Sequence, residues 1–125
     1  MNNKKTLWEI LVPRASNEGK EFSVDYHRTW DRRVNEIAGG LTILRSAKGH
    51  WTSPEGRNFV EQMIPVRVYC RENEIDKIIL YTMDYYKQEA VMAYEISRNV
   101  KLVHRKNKEI KKRTSKYIGE DSIFD

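Results

Sequence analysis

The chain has 125 residues, of which 39% are hydrophobic and 33% are charged, and its net charge is +5. These values fit one domain with one core. No stretch approaches the roughly 20 apolar residues that a membrane span needs, and the first residues lack the apolar core of a signal peptide, so we expect a soluble cytoplasmic protein without a membrane partner. The single cysteine, Cys70, excludes an internal disulfide and is expected to be a buried apolar residue.

The chain begins with a predicted strand and a predicted helix. Thr6 to Val12 is rich in β-forming residues and stops at Pro13. After a loop, Ser23 is placed to cap a helix that runs to Ala38, and Gly39 and Gly40 are typical of a helix terminus that needs a left-handed residue. Spacings of four, four and three residues place the apolar side chains of this helix on one face, at Tyr26, Trp30, Val34 and Ile37.

A long hairpin is predicted next. Leu41 to Leu44 begins the second strand, and Phe59 to Cys70 forms the third, although Pro65 requires an edge position or a bulge. The tetrapeptide at 53–56, with proline second and glycine fourth, predicts a type I turn between them. Gly49 is interpreted as a bulge or bend in the hairpin arm that carries Trp51.

The last predicted elements are a helix and a strand. Apolar residues from Ile75 to Tyr86 follow helical spacing, and acidic residues at 72, 74 and 76 suit a helix N-terminus. The segment from Ala90 to Ile96 is the fourth strand, and Val100 to His104 is a short additional strand or an extension of it.

This order predicts an α+β protein with a ferredoxin-like βαββαβ fold, in which two helices cover one face of a four-stranded antiparallel sheet. The first strand carries apolar residues on both faces, and Met92, Tyr94 and Ile96 line one face of the fourth. Because an apolar sheet face needs cover, we expect a homodimer in which two sheets face each other or the hairpins reach across.

Short motifs support this fold. Gly40, Leu41 and Thr42 are followed by Gly49 and Trp51, and then by Tyr85 or Tyr86 with Gln88 and Val91. The pattern resembles a family of small uncharacterised bacterial proteins that carry GLT, G-x-W and Y-x-x-x-F-x-Q-x-S-V-L motifs on a ferredoxin-like domain. This chain has Ala90 where the family has serine, and it lacks the phenylalanine. The resemblance implies the fold and no activity.

The positive charge lies at the C-terminus. Residues 1–100 contain 15 Lys and Arg against 14 Asp and Glu, whereas 101–116 contain eight cations and one acid. We therefore divide the chain into a domain at 1–104 and a tail at 105–125. The tail either keeps the protein soluble or contacts nucleic acid phosphates. Its candidate contacts are Arg105, Lys106, Lys108, Lys111, Lys112, Arg113 and Lys116.

No residues show the spacing of a metal site, and no phosphate loop or nucleophile elbow occurs, so we expect neither metal nor cofactor. The favoured function is a non-catalytic dimeric module that binds a protein, nucleic acid or a small anionic ligand. Its candidate ligand-binding residues are Tyr26, Arg28 and Trp51. The alternative is a small dimeric enzyme with a cavity beside the hairpin, whose proton carriers are His27, His50 and Glu61.

Overall fold

A computed structural model describes residues 4–106, and it has the predicted ferredoxin-like α+β fold. Five antiparallel strands form one sheet, in which β4 and β1 are central, β5 flanks β1, and β2 and β3 both pair with β4. The elements are β1 (Thr6–Pro13), α1 (Val24–Ala38), β2 (Thr42–Ile43), β3 (Ala47–Thr52), β4 (Asn58–Cys70), α2 (Glu72–Tyr85) and β5 (Ala93–Ser97).

The fifth strand arises because the second predicted strand is interrupted. Ile43 pairs with Val66 and Ala47 pairs with Met63, so three residues of one strand face two of the other. The interruption lies opposite Pro65, whose carbonyl accepts a hydrogen bond from the Leu44 amide at 2.9 Å. The N–H and C=O of one residue in an antiparallel strand point toward the same neighbouring strand. The position where proline lacks an N–H therefore faces the interruption, as does the Pro65 carbonyl.

Gly49 does not form a bulge, which is one of the two predicted alternatives. Pairing from Ala47 to Thr52 is continuous, and Gly49 lies opposite Glu61 in a regular ladder. The turn that follows agrees with prediction, since the Gly56 amide donates to the Ser53 carbonyl at 2.9 Å and Gly56 has φ +84°. We call the arm the two-stranded ribbon formed by β3 and residues 58–62.

Both ends of α1 are as predicted. The Ser23 hydroxyl accepts a hydrogen bond from the Tyr26 amide at 3.1 Å, and Gly39 ends the helix in the left-handed region with φ +82°. At the start of α2, the Glu74 carboxylate accepts from the Arg71 amide at 2.8 Å. These local contacts fix where α1 begins and ends and where α2 begins.

The core lies between the helices and that face. Even-numbered residues of β1 and β4, including Ile10 and Val66, pack against Trp30, Val34, Ile75 and Ile78. Cys70 is completely buried, and burial raises the pKa of its thiol to about 12. The prediction that Cys70 is a buried apolar residue is therefore confirmed.

The opposite sheet face, which we call the open face, carries no helix. Leu7, Glu9 and Leu11 of β1 lie on it, beside Tyr94 of β5, as the pairing register requires. The Leu11 amide bonds to the Met92 carbonyl, which places Met92 on the same face, where it is 63% exposed. The prediction of apolar side chains on both faces of the first strand is thus confirmed.

The C-terminal part of the described chain differs from prediction. The last strand begins at Ala93 rather than Ala90, and its register shifts by one residue between Glu95 and Ser97. Residues 100–104 form neither the short strand nor the extension that we predicted. The β-forming residues in this stretch do not form a strand by themselves, because a strand also needs a neighbouring strand to pair with.

Candidate functional site

Polar side chains from four parts of the chain meet where β1 leaves the sheet, near the start of α1 and the end of α2. We call Arg14, His27, Asp31, Gln62 and Tyr86 the Arg14–His27 cluster. Tyr86 immediately follows α2, while Arg14 follows β1 directly. The cluster therefore exists only in the folded chain.

The centre of the cluster is a hydrogen bond between the two helical regions. Nδ1 of His27 lies 2.7 Å from the hydroxyl of Tyr86, which is 1% exposed. Burial raises the pKa of the Tyr86 phenol, so the hydroxyl keeps its proton. Since this hydroxyl has no other acceptor in residues 4–106, it donates to Nδ1, and the ring proton of neutral His27 then lies on Nε2.

Burial also favours the neutral form of His27. Desolvation lowers the pKa of the imidazole, the charge of Arg14 lowers it further, and the carboxylate of Asp31 opposes both by raising it. Asp31 is one helical turn after His27, on the same side of α1. A neutral imidazole beside a carboxylate is the arrangement that accepts or delivers a proton near neutral pH.

Asp31 is a half-buried carboxylate without a hydrogen-bond donor in the part of the chain that the structure describes. Burial raises the pKa of its carboxyl, and the nearby His27 and Arg28 partly oppose that change. The Asp31 oxygens are not among the buried polar atoms, so they are accessible from solvent and available to a ligand.

Arg14 is fixed by three side chains. Its guanidinium donates to Gln62 Oε1 at 2.7 Å and to Ser46 Oγ at 3.4 Å, and it lies 3.5 Å from the Glu21 carboxylate. Ser46 lies in the interruption between β2 and β3, where the arm begins, so this end of the arm lies beside the cluster. A guanidinium held in this way loses little entropy when it binds a further acceptor.

The structure brings together only part of the predicted site. Tyr26 lies beside His27, where its ring stacks on Phe22 and Tyr85 with centroids 5.2 and 4.2 Å apart. The Tyr85 hydroxyl donates to the Tyr26 carbonyl at 2.8 Å. Tyr26 therefore joins the two helices.

Arg28 is an exposed residue whose guanidinium lies 3.8 Å from Asp25.

The remaining predicted site residues lie on the arm. Trp51 and Glu61 are on its open face, where Trp51 stacks on Phe59 at 5.2 Å and stays 48% exposed. His50 is on the opposite side of the same ribbon. No contact within residues 4–106 links any of them to His27.

Four residues of the cluster were missed by the sequence analysis. Asp31 carried a usable signal, because an acid four residues after a histidine shares its helix face. The sequence holds no such signal for Arg14, Gln62 or Tyr86. Their convergence depends on the register of β1 against β4 and on where α2 ends.

Some predictions concern other parts of the chain. Arg105 and Lys106 are exposed at the end of the described chain, whereas the tail residues at 108, 111, 112, 113 and 116 lie outside it. No set of three or more potential metal-ligating side chains occurs among residues 4–106. In the same range, no helix has the length and apolarity of a membrane span.

Comparisons with known proteins show the fold. No protein-family model and no curated protein matches the chain. A phage SAM lyase in complex with S-methyl-5′-thioadenosine is similar in structure, with TM-score 0.61 and 12% identity over 80% of this chain and 86% of that one. The CutA divalent cation tolerance protein of Thermus thermophilus gives TM-score 0.58 and 13% identity over 82% of this chain and 89% of that one.

A third similar structure is the periplasmic divalent cation tolerance protein CutA of Archaeoglobus fulgidus, with TM-score 0.57 and 12% identity over 82% of this chain and 89% of that one. At such identities the likeness concerns the backbone alone, so the site must be argued from this chain's own residues.

The charges around His27 make a testable prediction. We expect its imidazole to titrate below the ordinary value of about 6.5. Asp31→Asn should lower the pKa of His27 further, because the variant loses the charge that favours imidazolium, and Arg14→Gln should raise it. Histidine carbon–proton NMR signals, assigned with His27→Gln, would measure both changes. Equal titration curves for the two variants would contradict the proximity of these charges.

Proposed function

We propose that this protein is a binding module for a small anionic ligand that also carries a hydrogen-bond donor, and that the Arg14–His27 cluster binds it. The observation that carries the proposal is the unpartnered, half-buried carboxylate of Asp31 beside neutral His27, next to an arginine fixed by Gln62, Ser46 and Glu21.

The chemistry of the cluster defines the ligand class. Arg14 suits a phosphate or carboxylate, because a guanidinium offers several N–H donors in a fixed plane. Asp31 would repel a second anionic group and suits a hydroxyl or amine. Since His27 and Tyr86 are both neutral, the Nε2 proton of His27 adds one donor without adding charge. A phosphorylated or carboxylated compound with hydroxyl groups has this combination.

Two related compounds make suitable probes. Adenosine 5′-monophosphate has a phosphate for Arg14 and ribose hydroxyls for Asp31. S-methyl-5′-thioadenosine, the compound named with the structurally similar phage SAM lyase, has the same nucleoside and no phosphate. Comparing the two separates recognition of the anion from recognition of the nucleoside.

We expect calorimetry to give saturable binding of adenosine 5′-monophosphate that is weaker for S-methyl-5′-thioadenosine. Arg14→Gln and Asp31→Asn should each weaken binding about tenfold or more, the usual loss for a charge-assisted hydrogen bond. Arg33→Gln is the matched control, because this exposed arginine lies on the same helix and pairs with Glu36, outside the cluster. If Arg14→Gln binds both probes as the wild-type protein does, the cluster is not the site.

A second candidate function is proton transfer, with His27 as the proton carrier in place of His50 or Glu61. The hydrogen bond from Tyr86 to Nδ1 favours it, since it orients the ring and leaves the proton on Nε2. Substrate turnover that is lost in His27→Gln and kept in His50→Gln would distinguish the enzyme from the binding module.

The basic tail is a separate proposed contact, with nucleic acid phosphates. Arg105 and Lys106 are exposed and would begin it. A cytoplasmic location is proposed with it, since nucleic acid is available there. A gel shift that does not change when residues 105–125 are deleted would contradict this contact.

A further inference from the structure

The open face is the largest feature that the Arg14–His27 cluster leaves unexplained. It exposes apolar side chains at the β5 edge, with Met92, just before β5, at 63% and Tyr94 of β5 at 41% exposure. Both helices pack on the other side of the sheet, so neither helix covers these side chains. A sheet that is apolar on both sides usually packs against a second layer.

Charged groups on the same face point to the occupant. Glu61 and Arg67 are both odd-numbered residues of the unbroken strand β4, and therefore share the open face. The Glu61 carboxylate has no hydrogen bond or ion pair within residues 4–106. Arg67 contacts Glu9 through Nε at 3.0 Å, and its side chain remains 44% exposed. One strand thus offers an unpaired acid and an accessible cation.

The spacing of these groups is symmetric. Glu61 and Arg67 are each three residues from Ile64, and the aromatic residues Phe59 and Tyr69 are each five residues from it. A surface whose complementary groups lie at equal distances on either side of a centre can pair with a copy of itself around a twofold axis.

We propose that a second copy of this chain packs on the open face, with the two β4 strands antiparallel and a twofold axis near Ile64. Glu61 of each copy then faces Arg67 of the other, and the stacked Trp51 and Phe59 at the end of the arm cover Tyr69 of the other. The apolar side chains of Leu11 in β1, of Met92 just before β5 and of Tyr94 in β5 are buried in the same interface. Facing sheets in proteins pack about 10 Å apart.

Light scattering or sedimentation of the full chain tests the interface. The wild-type protein should have twice the 14.9 kDa chain mass at tens of micromolar. Met92→Glu should raise the dimer dissociation constant at least about tenfold, because it places a charge in the apolar interface. Leu80→Glu is the matched control, since Leu80 on α2 is also 63% exposed and is expected to leave the mass unchanged.

A charge reversal tests the register. Glu61→Arg should raise the dissociation constant about 100-fold, because the introduced cation of each copy would then face Arg67 of the other copy. Glu55→Arg makes the same charge change in the turn of the same arm and should have little effect. A monomeric wild-type protein overturns the proposal. So does a dimer that responds equally to both reversals, or one that resists Met92→Glu.

Discussion

Trp30→Ala is expected to lower the free energy of unfolding by about 3–5 kcal/mol, the usual cost of truncating a large buried aromatic side chain. Trp30 is 1% exposed and lies among Val34, Ile75 and Ile78, between α1, α2 and the sheet. Urea unfolding followed by circular dichroism would measure the loss.

The indole nitrogen of Trp30 gives the prediction a second part. It donates to Thr82 Oγ1 at 3.0 Å, and that hydroxyl donates to the Ile78 carbonyl at 2.6 Å. Thr82→Val should cost about 1–3 kcal/mol, because the buried indole N–H loses its acceptor. Trp30→Phe removes the donor instead. Since each single change breaks the same bond, the double variant should cost less than the two changes added together.

A variant at an exposed position is the control for this double-mutant cycle. Leu80→Ala removes an exposed side chain from the other side of α2 and should change the free energy of unfolding by no more than about 0.5 kcal/mol. Strict additivity of Trp30→Phe and Thr82→Val would show that the hydrogen bond contributes nothing to stability.

The parts of the fold that local chemistry determines could be predicted from the sequence. Ser23 and Gly39 end α1 where expected, and the turn at 53–56 needs only its own residues. The interruption of the second predicted strand could not be located in the same way. Its position depends on which side of β4 the missing N–H of Pro65 faces, and that is set by pairing with two other strands.

The candidate site could be predicted only for those residues that a single helix brings together. Tyr26 and His27 are adjacent on α1, and both lie beside the end of α2. His50 and Trp51 carry similar chemistry, but the arm on which they lie extends past the end of β1. Arg14 reaches Gln62 because β1 and β4 pair in one particular register, which the composition of neither strand specifies.

Glu9 on the open face is the second residue with a large expected effect. It is 7% exposed, its carboxylate accepts from Arg67 Nε at 3.0 Å, and the Tyr94 hydroxyl donates to its other oxygen. Burial alone would raise the pKa of Glu9, but the hydrogen bonds from Tyr94 and Arg67 outweigh burial, so its pKa lies below the ordinary value of 4.5. The folded state therefore favours the ionised form.

We expect Glu9→Gln to lower the free energy of unfolding by about 1–2 kcal/mol at neutral pH, less than a fully buried pair would lose, because Arg67 is partly solvated. A folded pKa below the unfolded one stabilises the protein above about pH 4.5, and that stabilisation is lost as the pH falls through the folded value. The difference between wild-type and variant should accordingly shrink on acidification. Urea unfolding at a series of pH values would measure it, with exposed Glu89→Gln as the control. A difference that stays constant down to about pH 3 would mean that the charge of Glu9 does not contribute.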